Sequence, residues 1–180
     1  MKTTKHNFFF AWNHENEEAW LNEMSARGKQ LTALGLCRYE FEDGEPNEYS
    51  YRLELLEWLP SHPSSAEYIR FLQDTGVEYI GSFMRWAYFR RKKSEGAFDL
   101  FSDITSRISH YNRIRTLFTI GGFANIPLFI SNFHNVLYSD LIFLYVISFL
   151  QASVISLLLY GAVKTTSKIN KLKKEKMLRE

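Results

Sequence analysis

The sequence predicts an α+β protein in two parts, a soluble domain of strands and helices followed by a helical hairpin long enough to cross a membrane. Three observations predict it. Leu141 to Val163 is a run of 23 residues without one charged side chain. A second uncharged run, Leu117 to Phe133, precedes it. Upstream, apolar and polar residues alternate from Cys37 to Phe41 and again from Tyr49 to Leu55, which is the period of half-buried strands.

A helix of 23 residues rises roughly 34 Å, against a hydrocarbon core of about 30 Å. Tyr138 and Tyr160 stand near the ends of the second run, where interfacial aromatics belong. Gly121, Gly122, Asn125 and Pro127 interrupt the first run. A membrane helix carries such residues where neighbours satisfy the freed backbone groups. The connecting loop, read as SNFHNVLYSD, has no Lys or Arg, and both outer flanks are basic. The positive-inside rule then places the N-terminal domain and the C-terminal tail in the cytoplasm of a two-span protein of the cell membrane. Asn125, Pro127 and Gln151 are the candidate interhelical contacts, with Gln151 expected to face the Asn125/Pro127 region.

Whole-chain averages conceal this. Mean hydropathy is −0.25 and net charge +2. By blocks, residues 1–89 carry −6, residues 90–116 carry +4 and residues 164–180 carry +5. The basic runs beside the spans read as charges that meet anionic lipid rather than nucleic acid.

In the soluble part, Lys5–Trp12 reads as a buried aromatic strand, followed by a helix that Asn13 or His14 opens, with Glu15, Glu17 and Glu18 in its first turn, and that Gly28 closes. Gln30 to Gly44 reads as one strand, joined through EDGEPNE to a second strand, Tyr49–Trp58, in a hairpin. Arg38 and Glu40 would face Arg52 and Glu54 across it. Ser64 or Ser65 caps a helix whose stripe is Tyr68, Ile69 and Leu72, and Gly76 ends it. Val77 to Lys93 is read as one last strand, bulged near Gly81. The order β-α-β-β-α-β predicts a ferredoxin-like domain over residues 1–93. Residues 94–116 form a juxtamembrane amphipathic helix, residues 117–163 the transmembrane helical hairpin and residues 164–180 a basic tail.

Catalytic chemistry finds no support. A single cysteine, Cys37, excludes an internal disulfide. The five histidines show no paired metal-ligand spacing, and Glu18 stands where an H-E-x-x-H motif needs its second histidine. No glycine-rich phosphate loop occurs, and no RNA-binding motif accompanies the Arg and aromatic residues of CRYEF and MRWAYF. No enzyme, cofactor or metal is expected. The expected partners are the lipid bilayer and a protein or a second copy of the chain, without nucleic acid. Arg38, Arg52, Arg85 and Trp86, on the aromatic strands, are the candidate contacts with a partner or ligand.

The elements W-L-N-E-M (Trp20–Met24), C-R-Y-x-F (Cys37–Phe41), Y-x-Y-R-L (Tyr49–Leu53) and M-R-W-x-Y-F (Met84–Phe89) resemble, in combination, the bacterial family Domain of Unknown Function 2812. The resemblance covers roughly residues 5–115. It implies a domain joined to membrane segments and encoded beside PadR-like transcriptional regulators, and it carries no catalytic residue. The expected function is a membrane-anchored cytoplasmic binding or regulatory module that senses envelope stress or membrane-active compounds. The alternative is an oligomeric membrane component of a transport or toxin-resistance system.

Overall fold

The computed structural model describes residues 2–101, 103–138 and 141–179. The chain divides into two compact units, residues 1–102 and 103–180.

The first unit contains β1 (Lys2–His6), α1 (His14–Ala26), β2 (Lys29–Gly35), β3 (Arg38–Asp43), β4 (Tyr49–Leu55), α2 (Pro63–Asp74), β5 (Glu78–Phe83) and β6 (Trp86–Lys92). It is mixed α+β, with two antiparallel three-stranded sheets ordered β1-β3-β2 and β4-β6-β5. This differs from the four-stranded ferredoxin-like sheet expected from the sequence. The segment 30–43 is two strands, not one, folded at Leu36–Cys37. The segment 77–93 likewise folds at Met84–Arg85. β3 and β4, expected as a hairpin, belong to different sheets. Arg38 therefore pairs with Glu40 of its own strand, not across to β4.

The two sheets are copies of one β-α-β-β motif. In each, the first strand pairs with the third and the second lies at the far edge. A shift of 48 residues maps Gly28 on Gly76, Leu31 on Tyr79 and Phe41 on Phe89. The register slips at the same point in both copies, between Leu31 and Ala33 and between Tyr79 and Gly81. Gly28 and Gly76 both follow a helix with positive φ, +73° and +87°. At Gly28 a Cβ would also meet the Gly44 carbonyl oxygen at 2.8 Å, so no other residue fits there without a shift.

One core lies between the sheets and under α1: Leu21 and Met24 of α1, Leu31, Tyr39 and Phe41 of the first sheet, and Tyr51, Leu53 and Tyr88 of the second. A second core joins α2 (Ile69, Leu72) to the opposite face of β6 (Ala87, Phe89), with Val77 and Phe98. Alternation along β6 sends Tyr88 into one core and Ala87 and Phe89 into the other.

α1 also closes a sheet edge. β4 is the outer strand of its sheet, so alternate peptide groups point away from β6. Glu18, Asn22 and Ser25 form one stripe of α1 and meet these groups in turn. Glu18 accepts from the Leu53 amide (2.8 Å). Asn22 both accepts from the Tyr51 amide (2.9 Å) and donates to its carbonyl (3.2 Å), as a neighbouring strand would. The Ser25 hydroxyl donates to the Tyr49 carbonyl (2.9 Å). Seven helical residues rise about 10 Å and four strand residues about 13 Å, so the two rows stay within reach. At the free edge of β2, the Tyr51 hydroxyl accepts from the Leu31 amide (2.9 Å) and Arg90 donates to the Leu31 carbonyl (3.2 Å).

The second unit is an antiparallel pair, α3 (Ile104–Leu137) and α4 (Ile142–Arg179). Asp103 caps α3 by accepting from the Ser106 amide (2.6 Å), and that bond holds its carboxyl below the usual range. α3 runs unbroken through Pro127 and through most of the stretch expected as loop. The last two residues of that expected loop, Ser139 and Asp140, lie outside the described residues. Both helices are long and apolar enough to cross a membrane, and only 11% and 6% of their apolar windows are buried. The core helix of a soluble domain would show the opposite pattern. Gly121 and Gly122 lie against Leu158 of α4, and a Cβ on Gly121 would stand 3.6 Å from Leu158, an ordinary contact that a small side chain could also make.

Candidate functional site

The two copies of the motif run in the same direction where they meet. Arg90, opposite Glu78, reaches Leu31, and three residues further along each strand Gly81 lies against Leu34. β2 and β5 then end together, in the turns Leu36–Cys37 and Met84–Arg85. Cys37 and Met84 hold positive φ, 54° and 55°, in turns without glycine. Leu36 and Met84 are 71% and 72% exposed.

The chain leaving each first strand passes the same end. The Asn7 amide donates to the Cys37 carbonyl (3.2 Å), and the Leu56 amide to the Arg85 carbonyl (2.8 Å). Phe8 and Phe10 follow the first, Trp58 and Leu59 the second, all four exposed. Phe10 stacks on Trp12 at 4.4 Å, and Phe8 meets Phe10 edge-on at 4.8 Å. One end of the first unit thus presents large apolar side chains from four connections, whereas the strands' opposite ends carry Lys2, Asp43, Lys92 and Lys93.

Of the sequence candidates, Arg38 and Trp86 flank the two turns and Arg85 lies in one of them, so all three are brought to this apolar end. Arg52 is not; it lies mid-strand opposite Phe89, and its guanidinium donates to the Tyr51 carbonyl (2.9 Å). Arg85 has a structural duty, donating through Nε (2.8 Å) and Nη2 (2.6 Å) to the Leu56 carbonyl. Arg38 is exposed and paired with Glu40 at 2.7 Å. The Trp86 ring lies 5.3 Å from that of His14.

Behind Trp86 and His14 is a buried polar cluster that the sequence reading did not single out. Glu17 Oε1 accepts from the Tyr39 hydroxyl (2.7 Å) and the Tyr88 hydroxyl (2.5 Å). One carboxylate thereby joins β3 of the first sheet to β6 of the second. Burial pushes the Glu17 carboxyl up, and the two phenol donors partly offset this. Burial and the adjoining carboxylate push both phenols up, so they remain donors. Glu18 is pushed up to about 7, chiefly by burial, against the pull of the Leu53 amide and Arg52. The cluster can hold a proton or a negative charge between the sheets. Its sequence signal is Glu17 itself, which shares the helix stripe of Leu21 and Met24 at intervals of four and three. Among the described residues no group of three or more His, Cys, Asp or Glu is placed to hold a metal ion.

In the second unit Gln151 meets the other apolar helix, but at Asn132 rather than at Asn125 or Pro127. Asn132 Nδ2 donates to Gln151 Oε1 at 2.8 Å. Asn125 instead donates to the Gly121 carbonyl one turn back in its own helix (2.7 Å). The displacement follows from helix length: α3 continues to Leu137, which moves the hairpin bend toward α4 and shifts every facing pair.

No curated protein and no solved structure matches the chain. A family model described as protein of unknown function DUF2812 matches residues 13–122, from the start of α1 into the first apolar helix. With the larger part of its length inside that match, the chain belongs to the DUF2812 family.

Proposed function

We propose that the chain is a membrane-anchored binding and regulatory module. The first unit recognises a protein partner through its apolar end, and the hairpin of α3 and α4 anchors it in the cell membrane. Basic residues on both outer flanks favour a cytoplasmic position for both termini. The observation that carries this reading is the gathering of Phe8, Phe10, Leu36, Trp58, Leu59 and Met84 on one end, exposed, over a unit with its own complete core. Apolar side chains concentrated like this mark interaction surfaces, whereas single exposed ones are ordinary. Sensing of envelope stress or membrane-active compounds, in concert with a PadR-like regulator, is the physiological setting we assign to it.

The transport alternative has less support. Asn132 and Gln151 satisfy each other within one hairpin and Asn125 is satisfied within its own helix, so they act as helix contacts rather than as a polar path.

Site-specific photo-crosslinking from position 84 of the full chain in native membranes tests the binding reading. A discrete adduct is expected. Its yield should fall at least tenfold in Leu36→Ser and remain in Phe71→Ser, a substitution at an exposed apolar residue of α2. Absence of any discrete adduct, or equal loss in both variants, refutes it.

A further inference from the structure

The second unit carries a groove of roughly 830 Å³ whose walls are Arg115 and Thr119 of α3 and one face of α4 from Ala162 to Met177. Its position relative to the apolar runs is fixed by the pairing of the two helices. Gly121 packs on Leu158, and the Lys168 ammonium lies 5.4 Å from the Tyr111 ring. Arg115, between Tyr111 and Gly121, is therefore level with the end of the apolar run of α4 at Val163. The groove crosses that level. Its lower wall is apolar, with Ala162 and Val163. Its upper wall is cationic, with Lys171, Lys173 and Lys174 beyond Arg115. Among the described residues no acidic residue lines it. Among the described residues, Arg115, Lys171 and Lys174 have no carboxylate within ion-pair distance.

The neutral groups divide. The hydroxyls of Thr119 and Thr166 donate to the carbonyls of Arg115 and Ala162, so their protons are engaged within the helices and these two side chains offer a phosphate no donor. Ser167 and Asn170 add donors between the cations. Guanidinium and ammonium groups lining one space above an apolar floor match a phosphodiester carrying acyl chains.

We propose that this groove is a headgroup site for an anionic phospholipid, with Arg115, Lys171 and Lys174 holding the phosphate and the acyl chains running down past Ala162 and Val163. Anionic lipid beside a basic flank is a general attraction; a groove with a guanidinium at the membrane boundary makes it a site with defined residues. The proposal rests on α3 and α4 spanning a membrane.

The experiment uses the full chain purified in an uncharged detergent. Short-chain phosphatidylglycerol, short-chain phosphatidylcholine and inorganic phosphate are titrated separately, with binding read by native mass spectrometry and by the shift in Tm. Phosphatidylglycerol should bind at least tenfold more tightly than phosphatidylcholine. Arg115→Gln/Lys171→Gln/Lys174→Gln should abolish that preference, and the charge-matched control Lys2→Gln/Lys5→Gln/Arg70→Gln in the first unit should keep it. Equal binding of both lipids, or an unchanged preference in the groove variant, overturns the proposal. Phosphate competing as strongly as phosphatidylglycerol also overturns it, because the site then holds a free anion and not a lipid. Alkaline carbonate extraction of the same membranes separates this failure from that of the membrane reading. A chain that stays in the pellet yet shows no lipid preference loses only the headgroup site, whereas a chain released to the supernatant loses both.

Discussion

Glu17 and Glu18 are neighbours on α1, and burial raises both carboxyls, but they bond to different partners. Glu17 ties two tyrosines of different sheets, while Glu18 accepts one strand amide. The raised value of Glu18, about 7, has a consequence for stability. Between the ordinary carboxylate range and about 7, the folded chain holds a proton that the unfolded chain has released. The stability that this proton contributes is complete at low pH and is lost as pH rises through that window, by about 1–3 kcal/mol. Glu18→Gln keeps an oxygen for the Leu53 amide and carries no charge. Thermal unfolding of the full chain in detergent from pH 4.5 to 8 should therefore show a shallower decline in the variant than in the wild type. Parallel curves would contradict the assignment. The sequence made Glu15, Glu17 and Glu18 look alike, as acids in the first turn of a helix. What separates them is which side of the helix is covered, and that depends on β4 and β6, 35 and 71 residues away.

At the scale of elements, both helices of the first unit were legible, because amphipathic stripes and the closing glycines Gly28 and Gly76 lie within each segment. The cap of α2 was not, since the His62 ring rather than Ser64 or Ser65 accepts the first free amide, that of Ser64. The hairpins were not. Their turns are Leu36–Cys37 and Met84–Arg85, without the Gly, Asn or Asp that usually supplies a positive φ. Two strands joined by such a turn read as one long strand, so six strands counted as four. The internal repeat was equally hidden, since equivalent positions differ in chemistry, Leu31 against Tyr79 and Tyr39 against Ala87. The edge contact of α1 with β4 gives this scale its test. Asn22→Ala removes the groups that pair both the amide and the carbonyl of Tyr51. Leaving these partly buried groups unpaired should cost about 1–3 kcal/mol, measured as a lower unfolding midpoint of the full chain. Asn22→Ala unfolding at the wild-type midpoint would show that the edge is not closed by this residue.

At the scale of the whole molecule, the presence of a mixed α+β part and two long apolar helices was the most legible feature, since length and absence of charge decide the helices without long-range contacts. Details inside the hairpin were less so. Asn132 fell where the first apolar run and the stretch read as loop overlap, and its partnership with Gln151 emerges once α3 is seen to reach Leu137. Among the candidate contacts, Arg38, Arg85 and Trp86 share an end because both turns share it, which no single strand's pattern could reveal. The account of function depends on the first unit standing on the inner side of a membrane and the helix bend on the outer side. Cys37, the single cysteine of the chain, makes this measurable in intact cells with a membrane-impermeant maleimide. Cys37 should stay unlabelled until the cells are permeabilised, and a cysteine placed by Tyr138→Cys in a Cys37→Ser background should label at once. Labelling of Cys37 in intact cells, with protection of position 138, would contradict the account.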